Sequence, residues 1–124
     1  MKAMIIMGPA GSGKTKRAEE EARKRGGKFV VVFWEDLRRN RFTLGAAMAS
    51  EPETIIVEGL SVTKAAERAY LKQLVAEDEL LVEESYTPRR AVRAPWFIFT
   101  MQSPLKMDLT TLFDERRFEV VEVL

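Results

Sequence analysis

Short runs of consecutive apolar residues alternate along this chain with stretches in which apolar positions recur every three or four residues. The first pattern marks strands buried between layers, and the second marks helices lying on them. Lys2-Ala3-Met4-Ile5-Ile6-Met7 reads as a first strand and Thr15 to Arg25 as a first helix, ended by Gly26-Gly27 as a C-cap. Lys28 to Trp34 is a second strand, and its continuous branched run predicts burial on both faces. The chain then turns away over Glu35 to Asn40, forms a short helix over Thr43 to Ser50, and is broken by Glu51-Pro52-Glu53. Thr54 to Gly59 is a third strand, ending in an acid. Ser61 is expected to N-cap a helix running to about Val75, with Val62, Ala66, Ala69 and Leu74 on one face.

Leu80 to Glu84 reads as a strand, Ser85 to Arg90 as a turn and Ala91 to Ala94 as the returning arm of a hairpin. Trp96 to Met101 is another buried strand, ending in Gln102 and Ser103 before Pro104. Asp108 is expected to N-cap a short helix to about Phe113, and Phe118 to Leu124 is a last strand. Alternation of this kind predicts one three-layer α/β/α domain over residues 1–124, a mostly parallel sheet with helices on both faces and one inserted hairpin. No internal repeat, low-complexity segment or internal boundary interrupts it.

Between the first strand and helix lies Gly8-Pro9-Ala10-Gly11-Ser12-Gly13-Lys14-Thr15, which fits G-x-x-x-x-G-K-[ST], the Walker A phosphate loop. Gly8, Gly11 and Gly13 are expected to allow positive φ and let the backbone wrap a phosphate closely. The loop N–H groups and the helix N-terminus then form an anion nest. Lys14 would reach the β- and γ-phosphates, and Thr15 would place its hydroxyl on Mg²⁺. A random match in a chain this long has a chance on the order of 1% at average glycine usage, so nucleotide binding is the reading adopted. Glu58 ends the third strand, where phosphate-loop proteins place a carboxylate that holds Mg²⁺ through water. It is the sole acid in that place.

Composition narrows the chemistry further. The 124 residues carry 20 Lys and Arg against 19 Asp and Glu, a net charge of +1, so bulk charge points to neither nucleic acid nor membrane. With no Cys and no His, disulfides, the usual zinc sites, thiol nucleophiles and histidine acid–base chemistry are excluded. No stretch approaches a membrane span, and the N-terminal apolar run is too short for a signal peptide, so a cytoplasmic protein without a membrane partner is expected. Glu19–Arg23, Glu20–Lys24 and Glu21–Arg25 on the first helix stand in the favourable order for exposed pairs. Arg38-Arg39-Asn40-Arg41 reads as a solvated loop, and Trp34 and Trp96, inside apolar runs, as core.

The ordered features together resemble the ATPase core of the AAA+ class, closest to the superfamily 3 helicases of viruses, phages and plasmids. The resemblance is carried by the loop at Gly8–Thr15, the strand ending in Glu58, and then Asp78, Leu80–Glu84, Tyr86–Arg93, Pro95, Trp96–Phe99, Thr100–Gln102 and Arg116-Arg117-Phe118. It implies a P-loop NTPase fold with a five-stranded sheet in the order 5-1-4-3-2, and ATP with Mg²⁺ as nucleotide and cofactor. It gives Lys14 and Glu58 catalytic roles. Gln102, with Thr100 as fallback, would read the γ-phosphate or orient water. Arg116 or Arg117 would be an arginine finger acting in a neighbouring subunit of a homo-oligomer. Tyr86, Arg89, Arg90 and Arg93 would sit on a hairpin facing single-stranded nucleic acid, suited to phosphate tracking and base stacking.

The sequence departs from the family pattern in four places. Glu58 is followed by Gly59 where a second acid is usual, Gln102 stands for Asn, no helical lid follows the last strand, and no extra domain accompanies the core. The missing acid favours binding over hydrolysis, so a non-hydrolysing nucleotide-binding interaction module is the alternative. A small-molecule P-loop kinase is a third reading, with Pro88 to Arg93 as its lid. Such lids usually lie between helices, whereas here a buried strand follows almost at once.

Overall fold

In the computed structural model, residues 2–102 and 116–124 are described. It opens with the interior strand β1 (Ala3–Gly8), buried along its whole length. The Gly-rich loop leads from it into α1 (Lys14–Arg25). Then come β2 (Phe29–Phe33), α2 (Trp34–Arg39), α3 (Thr43–Met48), β3 (Thr54–Glu58) and α4 (Ala65–Val75). The hairpin β4 (Glu79–Val82) and β5 (Arg90–Arg93) precedes β6 (Trp96–Gln102) and β7 (Phe118–Glu122). The expected helix over Asp108–Phe113 lies outside the described residues.

The main sheet runs β2-β3-β6-β1-β7, with all four pairings parallel. Counting its five strands alone, this is 5-1-4-3-2 read from the other edge, as the resemblance implies. The hairpin forms a separate antiparallel pair with Leu80 opposite Val92 and Val82 opposite Arg90.

Strand alternation divides the core into two faces. Met4, Ile6, Ile56 and Ile98 point to one face and are covered by Ala18 and Ala22 of α1. Two alanines four residues apart bring that helix close to the sheet, which a larger side chain would prevent. Ala3, Ile5, Met7, Ile55, Val57, Phe97 and Phe99 point to the other face. There they meet Trp34 and Leu37 of α2, Leu71 and Leu74 of α4, and the inward side chains Leu80 and Val82 of the hairpin. Trp34 packs edge-on against Phe99, and Trp96 donates its indole N–H to the Lys2 carbonyl at 2.7 Å. Both tryptophans are core, as expected.

Three local expectations are corrected. β2 is not buried on both faces: it is an edge strand, so Val31 and Phe33 remain exposed. α4 starts at Ala65 and not after Ser61, because Glu67 reaches back to the Lys64 N–H at 3.0 Å. The inner face of α4 is therefore Glu67, Leu71 and Leu74, with Ala66 and Ala69 exposed. On α1, Glu19 does pair with Arg23, while Glu21 takes Arg17 and Lys24, and Arg25 stacks over the Trp96 ring.

Glu67 ties α4 to α2. It is buried, accepts from the Thr63 hydroxyl at 3.2 Å, and faces Arg38 at 3.5 Å. Burial pushes its carboxyl up, but hydrogen bonds from the Lys64 backbone, Ser61 and Thr63 outweigh it and hold the group below its usual 4.5. A lowered folded value means stability that is present above pH 4.5 and lost as the pH falls through the folded value. Glu67→Gln is expected to cost about 2 kcal/mol at neutral pH. It should also flatten the acid limb, read as urea midpoints between neutral and acid pH. An unchanged acid limb would remove Glu67 as its source.

Candidate functional site

The loop after β1 is a tight glycine-rich turn into α1. Gly11 and Gly13 have φ of 75° and 86°, in the left-handed region that side chains disfavour. Gly13 is the N-cap of α1, and its carbonyl accepts the Arg17 N–H at 3.0 Å. Gly8 needs its glycine for another reason than the one expected, since its φ is not positive. A Cβ there would lie 2.4 Å from the Val123 carbonyl oxygen and 2.6 Å from Ser12 Oγ. The loop thus leaves the sheet pressed against the end of β7.

Lys14 folds back over this loop. Its Nζ donates to the carbonyl oxygens of Gly8 at 2.9 Å and Pro9 at 2.8 Å. The ammonium is therefore held at the loop by two exchangeable bonds that a phosphate could replace. Thr15 is exposed in the first turn of α1. Ser12 Oγ is buried with no hydrogen-bond partner in the structure. Pro9 and Ala10 form the exposed crest.

Parallel pairing brings the other candidates to the same end of the sheet. Gly8 is level with Gln102, and Ile6 with Thr100. Val57 is level with Phe99, so Glu58 and Thr100 each stand one residue beyond that pair. By strand alternation Glu58, Thr100 and Gln102 share the face of Ile56 and Ile98, the face on which α1 packs. Thr100 is buried and Gln102 exposed, which makes Gln102 the accessible member of the two. Glu58 Oε1 is buried and has no hydrogen-bond partner. A buried carboxylate oxygen left unpaired is costly, and one beside a phosphate loop suits a cation. The donor set of Thr15 hydroxyl and Glu58 carboxylate is all oxygen, which fits Mg²⁺ completed by phosphate oxygens and water. Among the described residues no group of three or more His, Cys, Asp or Glu could hold a metal by itself.

Arg116 and Arg117 are not brought to this loop within one chain. The Arg117 carbonyl accepts the Ala3 N–H at 2.8 Å, so both residues stand at the start of β1. The Gly8–Thr15 loop begins at its far end, about 16 Å along the strand.

The hairpin is less basic in effect than its arginines suggest. Residues 79–93 hold three Arg and also three Glu, for no net charge. Glu83 pairs with Arg89 and, at 3.5 Å, with Arg41, while Glu84 meets Arg90 at 3.7 Å. Arg93 stands opposite Glu79. Tyr86 at the tip is fully exposed with φ 65°, a backbone state rare for an aromatic residue. The tip is thus presented outward on an arm whose charges are internally compensated. The run Arg38-Arg39-Asn40-Arg41 is not a free basic patch either: Arg38 meets Glu67, Arg39 meets Glu35 at 2.6 Å, and Arg41 meets Glu83.

Glu67 and Glu83 are the two residues that sequence reasoning passed over. Glu67 had a readable signal, an acid three residues after an N-cap, which placing the cap at Ser61 hid. The role of Glu83 depends on α3 lying beside the hairpin, and no local pattern announces that.

The architecture is a mostly parallel five-stranded α/β sheet with a helicase-like fold. Among solved structures the chain is similar to the apo C-terminal region of NrS-1, with a TM-score of 0.69 and 17% identity over 98% of this chain and 29% of that one. It is also similar to JCV helicase, with a TM-score of 0.61 and 21% identity over 98% of this chain and 36% of that one. The chain thus spans about a third of the length of these neighbours. No protein-family model and no curated protein sequence matches it. No helix among the described residues is long and apolar enough to cross a membrane.

Proposed function

We propose that this chain is a minimal AAA+, helicase-like ATPase core that binds and hydrolyses Mg·ATP. One observation carries the reading: adjacent parallel strands set the Gly8–Thr15 loop, Glu58 and Gln102 at one sheet end, with Ser12 Oγ and Glu58 Oε1 buried there and unpaired. In this reading the loop N–H groups hold the phosphates. Lys14 exchanges its two carbonyl partners for β- and γ-phosphate oxygens. Thr15 and Glu58 hold Mg²⁺, which when bound neutralises charge on the phosphate oxygens. Gln102 positions the attacking water. Positioning and charge stabilisation supply most of the rate.

Arg116 or Arg117 acts from a neighbouring subunit, because the 16 Å or so between strand ends keeps both from the loop of their own chain. Tyr86 offers a stacking surface to a single-stranded nucleic acid or to a protein partner. The compensated arginines 89, 90 and 93 make the phosphate contribution at the hairpin small.

Steady-state phosphate release from Mg·ATP across a protein concentration series tests this. The rate per subunit is expected to climb with concentration and to fall in Arg116→Ala or Arg117→Ala. A rate independent of concentration and of both arginines would sink the finger in trans. Glu58→Gln should abolish release while ATP still raises the melting temperature.

The second reading, a nucleotide-binding module without turnover, is favoured by Gly59. Its φ of 76° is a left-handed state that costs a carboxylate-bearing residue roughly 1–2 kcal/mol. The backbone itself thus disfavours the second acid at that position. ATP-dependent stabilisation with no phosphate release at any concentration is the outcome that selects this reading. The kinase reading loses its lid, since Arg90–Arg93 is a hairpin strand separated from β6 only by Ala94 and Pro95.

A further inference from the structure

The two edges of the main sheet are treated differently. β7 carries Glu119 and Glu122, charges of the kind that blunt an open edge. β2 reads Phe-Val-Val-Val-Phe, with no charge and no proline. Its register with β3 is one-for-one from Phe29 to Phe33, so no bulge interrupts it. Among the described residues nothing pairs with its outer side. Phe29, Val31 and Phe33 share the α1 face by alternation, and Val31 and Phe33 are 43% and 57% exposed. An edge that is apolar, regular and uncharged is a template for another strand.

Two features of the strand say which strand fits. The segment is a palindrome about Val31. A two-fold interface must be self-complementary, with residue i meeting j and j meeting i. Antiparallel pairing centred on Val31 sets Phe29 beside Phe33 of the second copy, twice, and Val30 beside Val32 of the second copy. Such pairing keeps both α1 faces on one side. Phe33 then covers itself with the opposing Phe29, already held under the Arg23 guanidinium 5.7 Å from its ring centre. The flanking charges are complementary in the same orientation. Lys28 precedes the strand and Glu35 follows shortly after it, both exposed. Antiparallel alignment about Val31 sets Lys28 of each copy opposite Trp34 of the other, with Glu35 the next residue along. Glu35 also pairs with Arg39 on its own helix, but it is 67% exposed and has free acceptor capacity.

We propose that β2 pairs antiparallel with β2 of a second copy of this chain, about a two-fold axis at Val31, to make one continuous ten-stranded sheet. This contact by itself joins two copies, because the pairing consumes both apolar edges and leaves β7 at each end, and a neighbour supplying Arg116 or Arg117 in trans would make a separate contact. It needs no nucleotide, so it stands apart from the ATPase reading.

Sedimentation velocity without nucleotide, over a concentration series, tests it. The unmodified chain is expected to dimerise and Val31→Lys to be monomeric, with circular dichroism and melting confirming that the variant is folded. The register has its own test. Lys28→Glu alone and Glu35→Lys alone each place like charges together and should weaken the dimer about tenfold. The double exchange should restore it. A chain that stays monomeric at its highest soluble concentration overturns the proposal. So does a dimer indifferent to Val31→Lys, or a double exchange that fails to rescue. Lys14→Ala should leave the dimer intact.

Discussion

Lys14→Ala is expected to abolish phosphate release, by at least about 100-fold, while leaving the fold intact. The two effects separate because they draw on different contacts. In the folded chain the ammonium donates to the Gly8 and Pro9 carbonyls, one partly buried and one exposed. Losing such bonds costs about 1 kcal/mol, since water replaces the donor. In the proposed reading the same group would meet the concentrated negative charge of a triphosphate, and water is a poor substitute there. ATP at about 100 times its dissociation constant should stabilise the unmodified chain by about 2.7 kcal/mol. That shift in melting temperature should vanish in Lys14→Ala. Lys14→Arg should not restore release, because a planar guanidinium does not fit a loop shaped for a compact ammonium. A variant that keeps both the thermal shift and the turnover would show that Gly8–Thr15 is not the phosphate site.

Gly45→Ala is expected to destabilise the protein although it improves a helix. Gly45 lies inside α3, where alanine is intrinsically better by about 1 kcal/mol. A Cβ at this position, however, would sit 2.1 Å from the Glu83 carbonyl oxygen and 2.8 Å from its carbon. Both are backbone atoms of the hairpin and cannot rotate away. Overpacking of this kind costs about 1–3 kcal/mol, and more where the backbone must move. The net loss should be about 1–2 kcal/mol, a fall of several degrees in melting temperature. Amide exchange should quicken in β4 and β5 before the main sheet, because the substitution pries the hairpin from α3. A raised melting temperature would mean that the hairpin is not seated on α3.

Much of the architecture was legible because strand and helix alternate with few ambiguous stretches. Ile5-Ile6, Ile55-Ile56-Val57 and Phe97-Ile98-Phe99 read directly as buried parallel strands. The hairpin showed itself by its turn, read over Ser85–Arg90. Phe29–Phe33 misled because an apolar run looks the same whether a neighbouring strand covers it or the sheet ends there. Position in a sheet is a long-range property that composition does not encode. The Gly8–Thr15 stretch was legible as the turn from β1 into α1 because its glycine pattern is local. Glu58 and Gln102 needed strand register to be placed beside it. The arginines at 116 and 117 could not be placed at all without knowing which end of β7 they precede. Counter-ions were equally hidden: Glu83 and Glu84 sit near Arg89 and Arg90 in sequence, yet only the fold turns proximity into pairing.

The interior strand β1 takes both of its partners from far along the sequence. Met4 pairs with Ile98 on one side and Ala3 with Phe118 on the other. Both neighbours of β1 therefore leave the ribosome more than 90 residues after it. At about 5–20 residues per second, Ala3–Met7 stays unpaired for several seconds or more. The glycine-rich loop hangs from that strand, so it should reach its folded geometry only after Phe118–Glu122 has been made. Until then the apolar segment Ala3–Met7 is open to chaperones, and slow synthesis between Trp96 and Glu122 should lower the yield of folded protein more than slow synthesis over Ala3–Gly8.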